Sequence, residues 1–222
     1  MSTRVPLDRS RAPLTAGLRM SRPREFSEAV ALEAAVDCFW QRGYEATSMR
    51  ELAASMGLSA PSLYNTFGDK QALFTRALNR YLDCTTRDRL GRLESSLPPK
   101  KAIHRFFTEI IEHSMKDRER KGCFLVNSAL EVAPHQSELG AVIAEQFGEI
   151  EGFFKRCIRA AQAEGTTPRG VDANDAARLL LGVLLGVRVL ARSVPDRSLL
   201  EGVVRPALAQ LDLPRQQKRK AR

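Results

Sequence analysis

The chain has 222 residues, 43% of them hydrophobic and 27% charged, and a formal net charge of +9. That is enough chain to bury a good core as one larger or two small domains. No apolar run approaches the roughly 18 residues of a membrane span, the longest (179–187) being bounded by Arg178 and Arg188, and no hydrophobic signal core opens the chain, so no membrane contact is expected.

The charge is unevenly placed. Residues 1–24 carry six arginines against Asp8, and residues 213–222 carry five Lys or Arg and no acid. The part between holds 24 basic against 25 acidic residues, a balance of −1. Residues 1–22 lack periodicity and read as a disordered basic arm. Such an arm can track phosphates and release counterions; its plainer reading is a solubility tail. Truncation decides between them, because removing 1–22 takes away five arginines and Asp8, +4 of charge. Affinity for any DNA is expected to fall, most clearly at low salt, in titrations against the full chain; equal affinities would leave a solubility tail.

A helix is predicted over 24–43. Ala29, Leu32, Val36, Phe39 and Trp40 fall on one face, with Glu28, Glu33, Asp37 and Gln41 opposite. A second helix follows after Ser48, which with Glu51 forms a capping box, and Leu52, Ala53 and Met56 give it an apolar face. Gly57 ends it, since glycine takes the left-handed turn without penalty. Ser59 caps a third helix, Pro61 sits in its first turn, Gly68 stops it and Asp69 caps the next. This is the pattern of a helix-turn-helix, which sets its second helix in a DNA major groove.

Phe39, Gly43-Tyr44, Ala46-Thr47, Leu52-Ala53, Gly57-Leu58-Ser59, Leu63-Tyr64, Phe67 and Lys70 to Leu73 stand in the order and spacing used by the TetR family of transcriptional regulators, and residues 26–75 resemble it. On the residues alone, base contacts fall to the early, outward side of the third helix: Ala60, Ser62, Tyr64 and Asn65. Arg50 lies in the second helix's first turn, and the helix starts at Thr47-Ser48, Ser59 and Lys70 offer donors to phosphates. The resemblance implies phosphate contacts for Thr47, Tyr64 and Lys70. With no Arg or Lys in the third helix, electrostatic affinity would come from Arg19, Arg22 and Arg24.

A long helix is predicted from Asp69 into the nineties, broken at Pro98-Pro99. Others follow over 100–116, 123–132, 137–164, 172–192 and 196–211, with a charged loop over 116–121. The expected fold is all-α with about nine helices and no repeats. The expected domains are 23–68 for DNA binding and 69–212 for regulation and dimerisation, between the arm (1–22) and a basic tail (213–222).

The regulatory part is read from Gly122-Cys123, Asn127 and Glu131, which resemble a TetR subgroup carrying Gly-Cys and then Asn and Glu a turn apart. Cys123 is placed in a helix's first turn after Arg118, Arg120 and Lys121, which would favour a thiolate and an electrophile sensor; its plainer reading is a small buried hydrophobe. Asn127 and Glu131 are expected to line a pocket with Phe106, Phe107, Ile110, Phe147 and Phe154 for a partly polar small molecule, unless those aromatics are ordinary core. Cys38, Cys84, Cys123 and Cys157 fit no disulfide framework. His104, His113 and His135 form no ligand pair, so neither metal nor cofactor is expected.

In the last two helices Val183, Val187 and Leu190, then Leu200, Val203 and Ala207, form apolar stripes. Gly182 and Gly186 fit a close backbone approach, and Pro206 is expected to kink the final helix. The stripes fit either the subunit's own core or a two-fold interface. The resemblance favours the interface, and implies a cytoplasmic homodimer, mostly a repressor, released from an inverted-repeat operator by an inducer. Two other classes compete: a helical enzyme using Cys123 with His104 or His113, and a non-specific DNA-architectural protein that binds without regard to sequence.

Overall fold

The computed structural model describes residues 27–212; the basic arm, Arg19, Arg22, Arg24 and the tail lie outside them. The described residues form helices only: α1 (Glu28–Arg42), α2 (Met49–Ser55), α3 (Ala60–Phe67), α4 (Lys70–Leu82), a π turn (Asp83–Arg87), α5 (Asp88–Ser96), α6 (Pro99–Lys116), α7 (Phe124–Glu131), α8 (Ser137–Ala163), α9 (Ala173–Ser193) and α10 (Arg197–Ala209).

Five of the helices, α2, α3, α4, α9 and α10, start at side chains that cap them. Ser48 Oγ accepts from the Glu51 amide, while the Glu51 carboxylate accepts from the Ser48 amide at 2.9 Å, so both halves of the capping box form. These bonds from Ser48 hold the Glu51 carboxyl below its ordinary range. Ser59, Asp69, Asp172 and Asp196 each accept from backbone amides at the starts of α3, α4, α9 and α10. Gly57 takes φ +67°, as its place after α2 requires. Pro206 lies within α10, which continues through it to Ala209.

One element differs from expectation. The helix from Asp69 into the nineties is continuous but carries the π turn between α4 and α5. No residue of the turn is buried, whereas α4 buries Phe74, Leu78 and Leu82, and α5 buries Leu90 and Leu93. The wider turn lets each half present its apolar face inward despite the seven residues between Leu82 and Leu90. Arg87 fastens it to α8, reaching Glu149 at 3.0 Å and the buried Gln146 at 2.6 Å.

α1 lies along α4, and α8 along α9, with α6 and α10 packed against this second group. One aromatic cluster joins the three N-terminal helices to the rest: Phe74 meets Phe39 at 5.1 Å, Tyr44 at 5.0 Å and Phe124 of α7 at 5.5 Å, all edge to face. A second cluster, Phe106, Phe107, Phe153 and Phe154, fills the space between α6 and α8.

Candidate functional site

The surface of α3 is divided. Leu63 and Phe67 are buried, while Ala60, Ser62, Asn65 and Tyr64 (51% exposed) face out. Ser59 Oγ is occupied in capping, lying 3.3 Å from the Ser62 amide and 2.9 Å from its hydroxyl. Ser48 and Arg50 are exposed beside it on α2. Lys70 stands over the Tyr44 ring at 4.4 Å, its ammonium 3.4 Å from the Glu45 carbonyl oxygen. Thr47 departs from expectation: it is fully buried and its hydroxyl donates to the Gly43 carbonyl at 2.6 Å. Its side chain holds the turn into α2 rather than facing a phosphate.

The expected ligand group separates into several places. Phe106, Ile110 and Phe147 do share a cavity with Cys123, of about 20 Å³, walled also by Thr86, Arg89, Leu184 and Arg188. Phe107 lies instead on a groove of about 320 Å³ between α6 and α10, with His104 and Val204. Phe154 is fully buried in the aromatic core. Asn127 and Glu131 line a third space, about 190 Å³, between α1 and α7. There Asn127 donates to the Lys121 carbonyl at 2.8 Å and accepts from Arg192 at 3.2 Å. The Glu131 carboxylate abuts Gly43, which sits at φ +83° and where an added Cβ would strike it. Trp40 Nε1 donates to the Lys121 carbonyl at 3.1 Å, so this space is a seam between α1 and α7.

Cys123 stands at the residue before α7, without a side-chain capping bond, instead of in its first turn, and it is 8% exposed. Its hydrogen-bond partner is the buried Tyr81 hydroxyl, at 3.8 Å. Burial, and then the neighbouring Cys123, push the Tyr81 hydroxyl well above its usual range. Lys121 turns away to Glu119 at 2.9 Å. The cations that share a cavity with the thiol are therefore Arg89 and Arg188.

Comparison with known proteins fits this geometry. Residues 31–77 match the profile of the bacterial regulatory proteins, tetR family, and residues 99–207 that of the tetracyclin repressor-like C-terminal domain. The HTH-type transcriptional regulator YezE of Bacillus subtilis is 33% identical over 195 residues, which span 87% of this chain and all of that protein. The chain belongs to the TetR family of transcriptional regulators. The repressor ComR of Escherichia coli is 29% identical over 77% of this chain and 82% of its own. Among solved structures, a cysteine variant of the TetR family regulator CifR on 26-base-pair operator DNA superposes with a TM-score of 0.75 at 32% identity, covering 84% of this chain and 98% of that one.

In this TetR-family chain the two C-terminal helices show which stripes are free. Val187 and Leu200 are fully buried and Ala207 is 7% exposed, so all three belong to the subunit's own core. Their apolar neighbours misled because both helices are apolar on more than one face. Val183, Leu190 and Val203 are half-buried, and Leu179 and Leu199 are exposed beside them. Steps of three and four join Leu179, Gly182, Val183, Gly186 and Leu190 on α9, and Leu199, Gly202, Val203 and Pro206 on α10. Nothing within the described residues comes within 4 Å of a Cβ built at Gly182, Gly186 or Gly202.

The cysteines order themselves by exposure. Cys84, in the π turn, is exposed; Cys38, Cys123 and Cys157 are buried. Burial, the main cause, and then Glu94 push the Cys157 thiol up to about 12. Iodoacetamide on the folded protein is expected to label Cys84 first and leave Cys157 unlabelled, as read by peptide mass spectrometry. Labelling of Cys123 as fast as Cys84 would restore the reactive-thiol reading.

Proposed function

We propose that the chain is a cytoplasmic homodimeric repressor that holds an inverted-repeat operator with α3 and releases it when a small molecule enters the regulatory part. Residues 23–68 would form the DNA-binding unit and 69–212 the regulatory and dimerisation unit. One observation carries the DNA half: α3 is anchored from beneath by Leu63 and Phe67 while its outer side presents Ser62, Tyr64 and Asn65. ComR is named a repressor and the CifR variant was solved on operator DNA, which supports the same role here. Coupling would run through the helix that leads from the α3 turn, through the π turn, to the wall of the cavity beside Cys123. The ligand acts only through a difference in affinity between two shapes of the dimer. The relatives named above are regulators, which supports this reading over the enzyme one.

The experiment is footprinting on DNA flanking the protein's own gene, followed by titration of a mutated operator set. Asn65→Ala is expected to relax preference at one base position, by about 1–3 kcal/mol of discrimination, because Asn can pair with adenine. Lys70→Ala is expected to weaken all sites alike and to lower the salt slope by about one. Unchanged base preference for Asn65→Ala places readout elsewhere, and indifference of the native protein to sequence would leave an architectural protein.

A further inference from the structure

Arg188 projects from the apolar helix α9 into the regulatory part and is only 9% exposed. A guanidinium carries five N–H donors. Its hydrogen bond here is one long contact, 3.4 Å to the Ser114 hydroxyl. Among the described residues no carboxylate lies within ion-pair distance of it. A buried charge without a counter-charge is one of the costliest arrangements in a protein interior.

Arg89 lines the same cavity from α5. It pairs with Glu109 at 3.3 Å, but that carboxylate also takes Arg92 at 2.7 Å and Arg105 at 3.0 Å. One carboxylate thus serves three guanidiniums, and Arg188 has none. The surroundings respond accordingly: burial first and the Arg188 charge second depress both Arg89 and the nearby His113. The remaining wall is apolar, chiefly Phe106, Ile110, Phe147 and Leu184.

We propose that this cavity binds a small organic acid, its carboxylate held by Arg188 and Arg89 and its hydrocarbon part laid against Phe106, Ile110 and Phe147. The inference deepens the inducer reading and rests on it for the ligand's regulatory role. Guanidinium and carboxylate match as a bidentate pair, and the low-polarity wall strengthens it. The cavity has about 20 Å³ free, close to the room of one water. An organic acid must therefore part the walls, and one wall is Thr86 of the π turn, an irregularity often found at functional sites.

Isothermal titration and thermal shift at constant ionic strength test it, using butyrate, hexanoate and benzoate against butyramide, hexanamide and benzamide, with inorganic phosphate as a further arm. The acids are expected to bind and to raise the melting temperature, and the amides to bind at least about tenfold more weakly. Arg188→Met, which keeps the bulk and removes the charge, is expected to fold at least as stably without ligand and to lose acid affinity by about ten- to a hundredfold. Arg188→Gln gives the same comparison should the methionine variant fail to fold. Absence of binding by every acid, acids no tighter than amides, or full acid affinity in either variant would overturn the proposal. So would inorganic phosphate binding as tightly as the acids, which would make this a site for inorganic anions. Operator anisotropy separates the two readings: acid binding that leaves operator affinity unchanged upholds the site and removes its role as an inducer switch.

Discussion

Val183→Asp and Val203→Asp are each expected to give a folded monomer that no longer retains operator DNA. Both positions are half-buried in the isolated subunit, on stripes flanked by exposed Leu179 and Leu199 and by glycines with open space above them. In a two-fold interface each substitution enters twice, and each carboxylate would be sealed away without a partner, a cost of order several kcal/mol per ion. A monomer then meets only one half-site. Sedimentation velocity reads the outcome directly, and intact dimers for both variants would move the interface elsewhere. Val187→Asp makes the contrast: that residue is fully buried within the subunit, so the same change there is expected to unfold the protein.

Phe74→Ala is expected to lower the stability of the whole chain by about 3–5 kcal/mol. The ring is fully buried and meets Phe39, Tyr44 and Phe124, so it belongs at once to α1, the turn after it, and α7. No single neighbour can close the hole, because each is held by its own contacts in the cluster. Urea unfolding should show the midpoint falling with little change in slope. Val30→Ala, at a residue 64% exposed, serves as the control and is expected within about 0.5 kcal/mol of the native protein. A loss below about 1 kcal/mol for Phe74→Ala would mean that the aromatic joint relaxes freely.

Local chemistry in this chain was legible, and distribution in space was not. Ser48 with Glu51, and Ser59 and Asp69, cap the helices they were expected to cap, because capping depends only on residues three apart. The inward placement of Leu63 and Phe67 follows from helical period alone. The assignment of Val187, Leu200 and Ala207 to an interface failed for the same reason it was attractive: period finds apolar faces but does not say which face the subunit keeps. Thr47 read as a surface donor because its acceptor, the Gly43 carbonyl, becomes available only once the turn is folded. Arg188 passed as the charged boundary of an apolar run; that its charge goes unanswered is a fact about α5, α6 and α7 together. The π turn did leave a trace, since Asp83-Cys84-Thr85-Thr86-Arg87 interrupts the apolar rhythm of an otherwise regular helix.

That interruption preserves a phase. An α-helix advances about 100° and 1.5 Å per residue, and the wider π turn takes in one extra residue over about the same sweep, so everything before it keeps the direction it would have in an unbroken helix one residue shorter. Deleting a single residue between Asp83 and Arg87 would leave a sound α-helix with Phe74 and Leu78 still turned toward their sockets, whereas deleting one between Leu78 and Asp83 would turn both by about 100°. The chain can thus lose a residue from this π turn far more readily than from the α-helix on either side of it. In descent, the length of this five-residue segment is expected to vary by one more readily than that of α4 or α5.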